Sequence, residues 1–228
     1  ALAAGMTAQA QTDVTSQYLK NADFSQGTPI TVGICTYQKD MANNGTEYSQ
    51  LVPVEGWEFG VENGDARAGG IFTTGSGAWL GGKDYPCPDA NANGGSGNVL
   101  GICGVWTGTA QYVQQCTLPA GTYTLTVSVL NTAGTSALAK NLIGYIDGNG
   151  SEHFGKTLSF PVGEWVTETI TFTLASSDAG SFSLGLSAQN VGSGNAQHLF
   201  IDNLQLAWSD PLSGLKEDLQ AEIANAQA

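Results

Sequence analysis

Basic residues are the scarcest feature of this chain. Only Lys20, Lys39, Arg67, Lys83, Lys140, Lys156 and Lys216 carry positive charge, against twenty acids, for a net charge of −13 in 228 residues. No basic patch can be assembled from so few, so nucleic acid and anionic membrane surfaces are poor partners, and neither nucleic-acid binding nor direct membrane insertion is expected. Neutral ligands and cations remain open. No apolar run is long enough to cross a bilayer as a helix. No G-x-S-x-G elbow, H-E-x-x-H pair or CxxC pair is present, and no spacing among the acids marks a glycosidase pair. His153 and His198 have no obvious sequence partners. The expectation is a protein without catalysis of its own.

Glycine is abundant, at 31 residues, and apolar residues make up 41%. That mixture suits one all-β domain with many turns and a substantial core. Residues 118–131, LPAGTYTLTVSVLN, carry the clearest signal. Tyr123, Leu125, Val127 and Val129 share one phase of a two-residue period, and Thr122, Thr124, Thr126 and Ser128 share the other. This is a strand with one dry and one wet face, entered through a Pro-Ala-Gly turn. Residues 166–174 repeat the pattern, with Ile170, Phe172 and Leu174 inward and Thr169, Thr171 and Thr173 outward. Residues 181–188 repeat it with Phe182, Leu184 and Leu186.

Further strands are expected at 19–27, 54–59, 65–72, 141–146 and 199–208. A hairpin is expected between 99–106 and 111–117, and Asp147-Gly148-Asn149-Gly150 marks another turn. Nine or ten strands predict an antiparallel two-sheet β-sandwich. After Asp210-Pro211, Leu212, Leu215, Leu219 and Ile223 recur at helical spacing. Residues 210–228 are read as a short C-terminal α-helix, either a linker or the start of a next domain, with docking on the sandwich as the alternative.

The first ten residues, ALAAGMTAQA, look like the tail of a secretory signal cleaved after Ala8-Gln9-Ala10, leaving Gln11 first in a secreted, extracytoplasmic protein. The four cysteines then allow two disulfides. Cys103–Cys116 across the hairpin with Cys35–Cys87 is the favoured pairing, and reduced thiols are the alternative. Asn44-Gly45-Thr46 and Asn149-Gly150-Ser151 match glycosylation sequons and read as turns.

Three stretches occur in a telling order: LKNADFSQG, followed by Gly56-Trp57; QYVQQCTLPAGTYTLTVSV; and GEWVTETITFTL, followed by HLFIDNLQL. Together they resemble the galactose-binding-like jelly rolls that serve as carbohydrate-binding modules in secreted Bacteroidetes glycan-degrading and surface proteins. The resemblance spans residues 18–208. It implies a jelly roll, a non-catalytic glycan-binding role and attachment to further domains of the same chain. Two alternatives stand beside it: a structural or adhesive spacer module, and the ancillary domain of a glycoside hydrolase. Many relatives hold a structural calcium between the first and last strands. The matching last-strand residue is Asp202, in phase with Phe200 and Leu204. The first-strand position that often carries Glu is Ser25 here, a departure from the pattern.

Sugar recognition needs aromatic faces for C–H packing and planar polar groups for hydroxyls. The candidate ligand residues are Trp79 and Tyr85 in the loop 73–98, Trp106 at the expected hairpin end, Tyr112 on its return strand, Arg67, and Asn190 with Asn195 in the loop 189–197. A local ion pair with Asp65 is the plainer reading of Arg67. Asp89-Ala90-Asn91-Ala92-Asn93-Gly94 matches half of a calcium loop, but its twelfth position is Leu100, so it reads as a polar loop.

Overall fold

The computed structural model describes residues 11–34, 51–60, 67–80, 86–105, 109–132, 140–155, 161–187 and 196–227. In chain order the elements are β1 (Thr12–Asp13), α1 (Thr15–Tyr18), β2 (Gly33–Ile34), β3 (Glu58–Phe59), β4 (Arg67–Thr73), β5 (Trp79–Leu80), β6 (Asn98–Val105) and β7 (Thr109–Leu118). They continue with β8 (Gly121–Asn131), β9 (Lys140–Asn141), β10 (Gly144–Ile146), β11 (Glu152–Phe154), β12 (Trp165–Leu174), β13 (Asp178–Ser187), β14 (Ala196–Ser209) and α2 (Ser213–Gln227).

Two antiparallel sheets face each other as a β-sandwich. The first runs β12-β8-β14-β6-β4, with β1 paired to the far half of β14; the second runs β11-β10-β13-β7-β3, with β9 paired to β13. The alternation in the sequence sorts the strands correctly. Tyr123, Leu125, Val127 and Val129 are buried in the core between the sheets with Ile170, Phe172 and Leu174, and with Phe182, Leu184 and Leu186 from opposite. Their partners Thr169, Thr171 and Thr173 are exposed. Toward the β12 edge Phe172 stacks between Tyr123 (5.2 Å) and Tyr145 (4.7 Å), joining one sheet to the other. The β10–β11 hairpin turns where Asp147-Gly148-Asn149-Gly150 predicts: Asp147 accepts the N–H groups of Asn149 and Ser151, and Gly150 takes φ +82°.

A second apolar cluster lies on the outside of the first sheet. Phe72, Val99, Cys103, Leu130 and Phe200 project outward and are covered by Ile34, Ala78, Leu80 and Cys87. The covering pieces come from β2, from β5 and from the residues beside β5. The loop 73–98 is therefore largely a packing layer, held by the short parallel pair β2–β5 and by the Trp165 indole N–H donating to the Ala90 carbonyl at 3.1 Å.

Several expectations are corrected. Residues 99–106 and 111–117 are not a hairpin: β6 pairs β14 and β4, while β7 pairs β13 and β3, so the chain crosses between sheets there. Cys103 and Cys116 thus belong to opposite sheets, and Cys87 and Cys116 are free thiols, which removes both favoured disulfides; Cys35 lies outside the described residues. Residues 19–27 are a turn rather than a strand, with Asn21 and Phe24 at φ +50° and +53°. Asn21 organises that turn, accepting the Gln26 N–H and donating to the Gln26 and Glu55 carbonyls. The strand expected at 54–59 shrinks to Glu58–Phe59, and the one at 141–146 is interrupted at Leu142 and Ile143. The C-terminal helix forms, and Leu219 and Ile223 on its apolar stripe are 61% and 48% exposed.

Candidate functional site

The strand registers gather the ends of several strands at one end of the sandwich. Arg67, the first residue of β4, pairs with Gly104, and Val105, the last residue of β6, pairs with Ala196, the first of β14. In the other sheet, Ser187 ends β13 opposite Thr109, which begins β7, and Lys140 of β9 pairs with Ser187. The segments 61–66, 106–108 and 188–195 therefore all attach at this end. Trp106, Asn190 and Asn195 fall in these segments and, like Asp65 and Tyr85, lie outside the described residues; of Arg67 the backbone alone is described.

Two of the aromatic candidates are elsewhere. Tyr112 is fully buried in the core, and its phenol donates to the Val52 carbonyl at 2.7 Å. Its position in β7 shares the inward phase with Ala110 and Leu118. Trp79 is 8% exposed, its indole laid against Gly33, where a Cβ would fall 2.5 Å from the ring. Neither ring offers an open face to a sugar, so both expectations are corrected: packing, not ligand contact, is their role. Phe59, which was not anticipated, is 45% exposed at the edge of the second sheet beside Tyr112.

The residue next to Tyr112 in sequence points the other way. Gln111, Ser183, Thr109 and Ser187 lie on the outer side of β7 and β13, alternating with core residues. The Gln111 amide donates to Ser183 Oγ at 2.7 Å, Ser183 in turn bonds the Leu142 carbonyl, and Thr109 bonds Ser187 at 2.9 Å. This uncharged polar strip runs up to the same end as Arg67. Lys140 closes it, paired with Glu152 at 2.8 Å and lying 5.8 Å over the Phe154 ring. Alternation could have flagged the strip in the sequence, but only the pairing of β7 with β13 brings its members together.

Asp202 is buried at the bulge of β14, where Asn203 takes φ +59° and the strand loses β6 as its neighbour. Its Oδ2 accepts the Ala92 N–H at 3.0 Å, from the half-matched calcium loop. Burial raises its pKa above the ordinary carboxylate range, against the lowering effect of the N–H donors. A groove of about 430 Å³ adjoins it, lined in part by Asp13, Asn21, Asp23, Ser25, Asn203 and Gln205. Asp23 Oδ1 there already accepts the Ser25 N–H and hydroxyl. Calcium takes six to eight oxygens. Among the described residues no three acids, histidines or cysteines come together, and the Ala92 N–H takes one of the two Asp202 oxygens. Asp202 ties the loop around Ala92 to the last strand.

Titratable groups elsewhere have structural explanations. His153, isolated in sequence, bonds Asp147 at 3.2 Å and stacks on Phe172. Burial pushes His198 down to about 4 and holds it neutral. Glu168 is raised by burial, with the Asn141 amide beside it at 3.2 Å.

No protein-family model and no curated protein matches the chain. Among solved structures, it is similar to a xylan-binding domain of carbohydrate-binding family 22 from Paenibacillus barcinonensis, at 12% identity and TM-score 0.42, over 90% of this chain and 99% of that one. It is similar to a family 11 carbohydrate-binding module from Clostridium thermocellum, solved with a mixed-linked tetrasaccharide, at 14% identity and TM-score 0.37, over 68% and 89%. It is also similar to the enzymatically active domain of a tailspike protein of bacteriophage CBA120, at 15% identity and TM-score 0.38, over 68% of this chain and 19% of that one.

Proposed function

We propose that the chain is a non-catalytic carbohydrate-binding module of galactose-binding-like type, part of a secreted multidomain protein, and that it takes neutral glycan at the end of the sandwich where Arg67, Trp106 and Asn190 belong. The observation that carries this reading is the register. Six strand termini, of β4, β6, β7, β9, β13 and β14, converge at that end, and the uncharged Gln111–Ser183 and Thr109–Ser187 strip leads up to it. Thr109, Gln111, Ser183 and Ser187 are themselves buried and bonded, so they brace that end, and the ligand groups come from the segments attached there. A net charge of −13 disfavours acidic glycans.

The test is affinity electrophoresis and a glycan array on the whole chain, with wild type beside Trp106→Ala and Arg67→Ala. Weakened retention in both variants, with unchanged melting, supports the reading. Undiminished binding in both refutes this location.

The burial of Trp79 and Tyr112 favours a second reading, a spacer module without a small ligand. A folded protein that binds no glycan would select it.

A further inference from the structure

The outer face of the first sheet is covered only in part. The loop 73–98 and Trp165 cover the half around Leu130 and Phe200. On the other half, β8 and β12 pair without a bulge and set their outward side chains opposite one another: Thr122 with Thr173, Thr124 with Thr171, Thr126 with Thr169, and Ser128 with Thr167. Seven threonines and one serine fill these eight positions. The four on β12 are exposed, and Thr122, Thr124 and Thr126 are half-buried.

We propose that this ladder of paired hydroxyls is a second binding face, for the flat surface of a neutral, insoluble polysaccharide. Strand preference explains β-branched residues on a wet face, but it serves Val, Ile and Tyr as well. The outward positions of β7 and β13 hold Val, Gln, Ser, Thr, Ala and Gly instead. What the ladder adds is repetition. Neighbouring hydroxyls recur ~4.8 Å apart across the strands and ~6.8 Å apart along them, over four rungs, or roughly 20 Å.

Each hydroxyl both donates and accepts, and each threonine methyl offers an apolar spot to sugar C–H groups. Thr122 and Thr173 bond each other at 3.1 Å, and Gln11 donates to Thr124 at 2.8 Å, and each hydroxyl, with one donor and two acceptor sites, keeps further capacity for a ligand. Gln205, Ala207 and Ser209 of β14 continue three of the rows. No charged side chain stands within the ladder; Asp13, opposite Ala207, borders one row. In a chain of net charge −13, an uncharged hydroxyl surface suits an uncharged hydroxyl-bearing partner and offers nothing to a polyanion. A rigid repeating surface meets a repeating ligand without ordering cost, so weak contacts sum.

This face is remote from the loop end proposed above, and the two are separable. The experiment is depletion of the whole chain from solution by microcrystalline cellulose and by chitin. Wild type runs beside Thr124→Val/Thr169→Val/Thr171→Val and the matching triple Ser variant, and soluble glycan binding is measured in parallel. Val keeps the shape and strand preference and removes the hydroxyl; Ser restores it.

The expected result is retention that falls about tenfold or more in the Val triple variant, an effect near 1.4 kcal/mol. The Ser variant retains most of it, and soluble glycan binding at the loop end is unchanged. Equal retention of wild type and the Val variant overturns the proposal, as does no retention of wild type on either solid. Adsorption to ice but to neither polysaccharide overturns it too. So does self-association, read by sedimentation, that the Val variant abolishes while adsorption is absent.

Discussion

Replacing Phe172 separates inter-sheet stacking from simple burial. Its ring lies 4.7 Å from Tyr145 at 6° and 5.2 Å from Tyr123 at 15°, with His153 at 5.6 Å. Tyr123 comes from the same sheet; Tyr145 and His153 come from the other. Truncation to Ala removes a buried aromatic and leaves a cavity between rings that backbone and hydrogen bonds hold in place. Tyr123 is tied to the Pro119 carbonyl at 2.8 Å and Tyr145 to Asp178 at 2.7 Å. The site can collapse little, so the cost falls in the upper part of the about 3–5 kcal/mol range for Phe→Ala. Leu restores most of the volume but not the stacking. Ring pairs contribute about 0.5–1.5 kcal/mol each beyond area, so Phe172→Leu should cost about 2 kcal/mol.

The assay is urea unfolding of the whole chain. With a slope of ~2 kcal/mol per molar, the midpoint falls by ~1 M for Leu and ~2 M for Ala. Thr171→Val, one residue away on the wet face, should stay within about 0.5 kcal/mol of wild type. A Leu variant within about 0.5 kcal/mol of wild type at unchanged slope would refute the stacking account.

Three further outcomes are expected. Burial raises the Asp202 carboxyl, so its contribution to stability is present at acid pH and is lost as pH rises through that raised value; the melting temperature of Asp202→Asn should gain on wild type between pH 3 and 7, and a flat or falling difference counts against it. Burial pushes the Cys87 and Cys116 thiols up to about 12, so a thiol reagent at pH 7.5 should label them only in denaturant, and fast labelling of either in the native protein would contradict the packing. The Trp57 indole N–H is buried without an acceptor, a cost of about 1–3 kcal/mol; Trp57→Phe, which removes that group at the expense of some volume, should be near neutral by calorimetry, whereas a loss above about 3 kcal/mol would mean that the N–H has a partner.

The identity of the dry and wet faces was legible residue by residue, because alternation is local: a side chain two positions along a strand points the same way whatever lies beyond. Phe172 and Thr171, Leu125 and Thr124 were sorted in this way. The terminal helix and the Asp147–Gly150 turn were equally local. What alternation cannot say is which strand pairs with which, or what covers an outer face. Trp79 read as a ligand aromatic because it falls in the long loop 73–98, and Tyr112 because it falls on the return strand of the expected hairpin; pairing put the Tyr112 ring between the sheets and laid the Trp79 ring on Gly33. Cys103 and Cys116, thirteen positions apart, read as hairpin neighbours until β6 and β7 were assigned to opposite sheets. Asp202 needed a partner by the physics of buried charge, and only the fold supplied it, as the peptide N–H of Ala92, 110 residues away in sequence. The hydroxyl ladder belongs to both levels. Each strand's threonines are written in sequence, but their pairing rung by rung exists only because β8 and β12 meet in register.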